Sequence, residues 1–492
     1  MDPIRASSLY RLHKQAGQTT APDQRPAHHF MLATREPSTE DCPDTTTLRT
    51  SFRQAIFPVR RIFPFDASAV AEGQHRSIRA ISQRAVRMKF LKAAVALMTP
   101  IVLISCAGPA AERNSDSKLP LIANAVAKPA MDFSHPGVLI SDFELAYVTS
   151  KIAAGESPWS EEFERAKNSD LASRTPTGQT NIDSRNDHEA DLLRDDAIAA
   201  YTQALLWRYS GNETYAIGAI TILNAWADFE GFSAGTDQDK LLAGWTGATL
   251  APAAEIMRSY PGWHADEILN LQSMFRRAFY TQLNVASSWN GNVDLTQIDA
   301  MMAIAVFNED EELFNKGLMR FNTRLPAYIY LAADGAAPQA ITGDDGNIQK
   351  FWFQPNRWVN GLTQESCRDN GHHSQYGVGS ALHAAETAWH QGIDIYTKNQ
   401  ERLTAAMELL AGQLLTGSMQ GICPNDQVTP NRFNTWEVGY NHFHGRKGLD
   451  LPNTRKLILQ QIRSSKSRTD WNLNYETLTH GRPAIAAPVL PK

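Results

Sequence analysis

The stretch Asp195 to Ala227 constrains the fold most. Apolar residues recur at helical spacing over Asp195–Tyr209 and again over Tyr215–Ala227, with Ser210-Gly211-Asn212 between them. A helix stop, a tight turn and a second helix make a helical hairpin. The same pattern continues along the chain. Helical spacing predicts further helices over Phe143–Ala153, Leu241–Arg258, Ala265–Leu283, Asp299–Phe307, Glu311–Phe321 and Leu403–Leu415. Another is carried by Val378, Leu382, Ala385 and Trp389. Strand signals are few: a short apolar run at Tyr328–Ala332, with Pro483–Leu490 irregular. Repeated hairpins with short connections predict an all-α fold, either a closed α/α toroid or an open solenoid. No strict repeat period is present, which argues against a regular solenoid. The expectation is one large helical domain over residues 131–492.

The first 130 residues read differently. Residues 1–87 are rich in Arg, Ser, Thr, Pro and Gln and lack a long apolar period. We read them as an upstream extension, with Met88 as the initiator. Residues 88–106 place Lys89 and Lys92 before an apolar Ala93–Ile104, too short for a typical membrane span. Leu103-Ile104-Ser105-Cys106 then resembles the lipobox of a bacterial lipoprotein signal peptide. The alternative is a genuine leader followed by a buried helix. A lipid on Cys106 would be the chain's only tie to a membrane, with 107–130 as a tether and a periplasmic or cell-surface address. Cys367 and Cys423 then remain; an exported setting permits a disulfide, and no zinc spacing is present. The net charge of -5 and the absence of a basic run in the mature part argue against nucleic acid as a partner.

Chemistry concentrates in Gln364–Tyr376, which gathers Glu365, Arg368, Asp369, His372, His373 and Tyr376 ahead of a helix. A guanidinium, two imidazoles and a phenol can together neutralise an acid group and move protons. The competing reading pairs Arg368 with Asp369 or Glu365 as an ordinary ion pair. Three interruptions of the helical pattern stand beside this cluster. Ser287–Thr296 sets Asn290 and Asn292 next to a Trp, or is an ordinary turn and cap. Asp334–Asn360 carries Trp352, Phe353 and Trp358, which either stack on sugar rings or pack on the domain. Asn434–Asn453 holds Tyr440, Asn441, His442 and His444; a bare H-x-H without an acidic partner is weak evidence for a metal.

Taken in order, several stretches resemble bacterial polysaccharide lyases of the alginate and glucuronan lyase type. They are HPGVL (135–139), ALLWRYSGNETYAIGAITILNAWA (204–227), LLAGWTGA (241–248), NGN (290–292), GLTQESCRDNGH (361–372), AAETAWHQGIDIY (384–396) and EVGYNHFHGRKGLDLPNT (437–454). The resemblance implies an incomplete α/α toroid acting as a monomer, without metal or cofactor. It implies an acidic polysaccharide substrate, a 4-linked uronic acid polymer cut by β-elimination. By the same match, Asn292 and Arg368 neutralise the substrate carboxylate, His372 or its neighbour His373 is an active-site imidazole, and Tyr376 is the catalytic phenol. Some alginate lyases carry the Tyr seven residues after the Arg, where this chain has Gln375; Tyr440 is the reserve phenol. Val293 stands where many relatives have an aromatic residue. Trp245, Asn290, His373, Trp352, Tyr440, Asn441, His442 and His444 are the expected substrate-binding residues.

Two other functions remain open at this level. A toroid glycoside hydrolase would use two of Glu365, Asp369, Glu386 and Glu437 across a cleft. A non-catalytic glycan-binding lipoprotein would need the aromatic loop alone.

Overall fold

The computed structural model describes residues 131–288, 290–464 and 469–482. The expected leader, signal segment, Cys106 and tether lie outside the described residues, as do Trp289 and the Pro483–Leu490 stretch. The main helices are α1 (Asp142–Ala153), α2 (Trp159–Lys167), α3 (Asp187–Ser210), α4 (Glu213–Ala225) and α5 (Asp237–Met257). They continue with α6 (Ala265–Met274), α7 (Gly291–Asn308), α8 (Glu311–Tyr328), α9 (His372–His390) and α10 (Ile395–Thr416). Strands among the described residues are two-residue pairs only.

Helices α3, α5, α7 and α9 form an inner layer: α5 packs against α3 and α7, and α7 against α9. Their sequences dictate this. Every residue of α7 is buried, and so is all of α5 from Leu241 onward. A helix without a polar stripe has no face to give to water. The outer helices α4, α8 and α10 fold back on α3, α7 and α9. In α8 the buried positions Leu313, Phe314, Gly317, Phe321 and Leu325 make a one-sided stripe. The result is the incomplete α/α toroid expected from the resemblance.

The inner helices run parallel. Gly244 of α5 lies against Thr296 of α7, and Gly247 against Ala300. One layer on, Thr296 bonds Ser380 of α9 at 3.0 Å, and Asp299 lies 3.4 Å from His383. Pairs that advance in step bring the helix starts Asp237, Gly291 and His372 to one face.

Several helices start earlier than the sequence reading has them, α3 at Asp187 and α10 at Ile395 among them, and two of these early starts lie at the polar cluster. α7 begins at Gly291, not Asp299, and α9 at His372, before Val378. Distant residues cap the start of α7, and the nearby Asp369 bonds the first turn of α9. Gly291 N–H donates to Gln364 Oε1 at 2.9 Å and Asn292 N–H to Glu365 Oε2 at 2.9 Å. Glycine is required at 291, because a Cβ there would stand 1.9 Å from the Tyr328 ring. The Ala265–Leu283 helix passes through a π-turn at Phe275–Phe279. Tyr328 closes α8, and Ile329 makes a single antiparallel bridge to Thr363 instead of a strand.

Between α8 and α9, residues 329–371 form a long loop with its own small core of Tyr330, Trp352, Leu362, Met419, Ile422 and Cys423. Cys367 and Cys423 are joined beside it.

Candidate active site

The face where α5, α7 and α9 begin carries the polar cluster. Its hub is Glu365, fully buried. Both of its oxygens accept the Asn292 side-chain amide, at 2.6 and 2.7 Å. Oε1 also accepts Arg368 Nη1 at 2.7 Å. The guanidinium from the loop and the carboxamide from α7 therefore converge on one carboxylate. The ordinary ion pair foreseen for Arg368 is present, and it is part of the cluster. Asn292 Oδ1 is buried without a hydrogen-bond partner.

Asp369 organises the start of α9. Its Oδ1 accepts the His373 N–H at 3.0 Å, and its Oδ2 is bonded to His373 Nδ1. Burial alone would raise this carboxyl; the bond to His373 and the imidazole charge hold it down at about 2. His372 Nδ1 faces Asn431 Nδ2 at 2.9 Å. Asn431 comes from the loop before Phe433, a region without any motif in the sequence.

The structure separates Gln375 from Tyr376. Gln375 holds that loop through Asn431 O at 3.2 Å and Phe433 N–H at 3.2 Å. The Tyr376 ring lies 4.6 Å from Phe433, 5.5 Å from Trp245, 5.9 Å from His372 and 6.1 Å from His373. The phenol beside the imidazoles is thus Tyr376. Asn290 precedes α7 at the same face and makes no side-chain cap bond. Trp245 stacks on Trp471 at 4.3 Å, with the Arg194 guanidinium 4.8 Å over Trp471. Sequence reasoning missed Trp471 and Arg194; an isolated Trp in a short polar hairpin carries no periodic signal.

Other expected residues lie elsewhere. Trp352 is 1 % exposed and packs in the small loop core, so it presents no ring to a sugar. Tyr330, Leu362, Met419, Ile422 and Cys423 bury that aromatic with them, away from water. His442 is fully buried, stacked on Tyr396 at 3.7 Å and set edge-on to Trp389 at 5.0 Å. Trp389 stands about 20 Å beyond Tyr376 along α9 at 1.5 Å per residue. Burial pushes the His442 imidazole down to about 4. His444 bonds Leu449 O at 2.8 Å and stacks with Tyr440, while Asn441 accepts from Arg482 at 2.7 Å. These four side chains stabilise the region after α10, and His442 and His444 engage different partners. Among the described residues, one group of three could hold a metal: Glu144, Glu386 and His390. The Arg446 guanidinium already occupies it, bonded to Glu144 at 2.7 Å and to Glu386 Oε2 at 2.9 Å.

The four carboxylates weighed for hydrolysis are all engaged. Glu365 holds Asn292 and Arg368, Asp369 holds His373, and Glu437 pairs with Arg463 at 2.7 Å. For Glu386, burial raises the carboxyl, but the Arg446 charge and the nearby imidazoles bring it below its ordinary value. A hydrolytic general acid must stay protonated near neutrality, and the surroundings of Asp369 and Glu386 act the other way.

The sequence profile of the family described as Alginate lyase matches residues 146–418, more than half of the chain. Among solved structures, the chain is similar to alginate lyase A1-III from Sphingomonas species A1, with a TM-score of 0.52 and 16% identity, covering 70% of this chain and 96% of that one. A histidine-to-alanine variant of A1-III complexed with a tetrasaccharide matches with a TM-score of 0.53 and 17% identity, over 70% of this chain and 95% of that one. A search of curated proteins finds no match. At such identities the structural likeness speaks for the fold, and the profile speaks for descent: this chain belongs to the alginate lyase family.

Proposed function

We propose that this protein cleaves a 4-linked uronic acid polysaccharide, alginate or glucuronan, by β-elimination. The carrying observation is the convergence of Arg368 and Asn292 on Glu365, beside two imidazoles and a phenol. The C5 proton of a uronate is barely acidic while its carboxylate is charged. Arg368 supplies the cation that stabilises the enolate as it develops, in a site closed on one side by buried side chains. Asn292 contributes chiefly by fixing the hub, since Glu365 engages its amide nitrogen through both oxygens. An imidazole removes the C5 proton, and the Tyr376 phenol returns one to the 4-linked oxygen as it leaves. Each such transfer contributes about 10²- to 10⁴-fold. Trp245 is buried and packs against Trp471 as a rigid backing for the cluster, and the tetrasaccharide bound to A1-III supports an oligosaccharide as the bound species.

The test is a panel of polymannuronate, polyguluronate and glucuronan, read by near-ultraviolet absorbance of unsaturated ends and by product sizing. Product without new absorbance would mean hydrolysis, and binding without product a lectin. We propose further that the chain is a lipoprotein anchored at Cys106 and exported to the periplasm or cell surface. Radioactive fatty acid should label the wild type and not Cys106→Ser.

A further inference from the structure

We propose that His373, held by Asp369, is the base that takes the C5 proton, while His372 is a hydrogen-bond donor in the opposite tautomer. This deepens the lyase reading above and rests on it. Asp369 is an ionised carboxylate and can only accept, so its bond to His373 Nδ1 puts the ring proton there. The basic lone pair is then on Nε2, which has no hydrogen-bond partner among the described residues. His373 is 5 % exposed, so the lone pair works in a largely dry setting. His372 is set the other way. The amide nitrogen of Asn431 can only donate, so His372 Nδ1 accepts and the neutral ring carries its proton on Nε2. Two adjacent imidazoles, 5.1 Å apart, are thereby divided into an acceptor and a donor.

Tyr376 stands one helical turn beyond His373. In the reaction, His373 Nε2 takes the proton from C5. The C–H electron pair becomes the C4–C5 double bond as the C4–O bond breaks. The leaving oxygen takes the Tyr376 proton, and the phenolate is restored from the His373 imidazolium, so no proton is gained or lost overall. Asp369 is a positioning residue in this scheme. The charged and titratable groups around His373 are Asp369, Arg368 and Glu365 on the preceding loop, His372 and Tyr376 on its own helix, and Tyr328 behind them.

The experiment compares His373→Gln, His372→Gln and Asp369→Asn in the full chain on the best polymer. The expected result is a loss of at least about 10²-fold in kcat for His373→Gln, with oligosaccharide binding retained by calorimetry. Asp369→Asn should lower kcat more than it raises KM, because an amide that can also donate no longer fixes the ring proton on Nδ1. A His373→Gln variant within threefold of wild-type kcat, or a greater loss in His372→Gln, overturns the proposal and leaves the lyase reading standing. Nitrogen-15 NMR of the wild type adds a readout independent of activity: the His373 proton should be on Nδ1 and the His372 proton on Nε2, each signal assigned by its absence in the matching variant. The reverse tautomers overturn the proposal. No unsaturated product from wild type on any uronate polymer removes the lyase reading, and the proposal with it.

Discussion

Glu365 and Asn292 are 73 residues apart in sequence, and both Glu365 oxygens lie within 2.7 Å of the Asn292 amide nitrogen. The same carboxylate takes the Asn292 backbone N–H and the Arg368 guanidinium. The cluster is therefore assembled around an acid, and the acid also supports the first turn of α7.

Removing that acid should cost stability and activity together. Glu365→Ala leaves buried donors on Asn292 without an acceptor, a penalty of about 1–3 kcal/mol. A lower midpoint in thermal denaturation and strongly reduced turnover are expected. Asn292→Ala should act in the same direction and more weakly, since Arg368 keeps its partner. Equal midpoints for wild type and Glu365→Ala would contradict the hub.

Arg368→Ala should lower kcat strongly, because the enolate loses its cation. Arg368→Lys should restore only part of it, since an ammonium cannot reproduce a planar fork against both Glu365 and a uronate carboxylate. Steady-state kinetics on the best substrate, with circular dichroism to verify folding, measures this. Full activity in Arg368→Lys would mean that charge alone suffices.

Activity is expected to survive chelation. In the proposed reaction the Arg368 guanidinium supplies the positive charge for the substrate carboxylate, and Arg446 stands where Glu144, Glu386 and His390 converge. Rates before and after EDTA, with divalent ions added back, decide it; loss and recovery would require a metal site.

A buried triad predicts a pH effect on stability. Burial disfavours a charged His383, but Asp299 and Glu476 flank it and raise it to about 10. Its unfolded value is about 6.5. The folded state thus holds a proton that the unfolded state releases, so this contribution is complete below about pH 6.5 and fades as pH rises towards 10. The melting-temperature gap between wild type and His383→Gln should be wide at pH 6 and narrow at pH 9.5. A gap that grows with pH would show that His383 is buried neutral.

The sequence alone determined the helical hairpins, because helix periodicity and turn chemistry are local. The spacing of Leu403, Met407, Leu410 and Leu414 needs no knowledge of what lies opposite, and all four are buried in α10. The Asp369–His373 pair was likewise within reach of the sequence, being four residues apart. Tertiary structure decided the rest. Whether Trp352 or His442 faces a cleft depends on which elements cover it, and the loop core and Tyr396 cover them. The start of α7, the meeting of Trp245 with Trp471, and the setting of His372 by Asn431 depend on groups distant in sequence. Such contacts leave no periodic trace, because the chain brings their partners together only when the toroid packs.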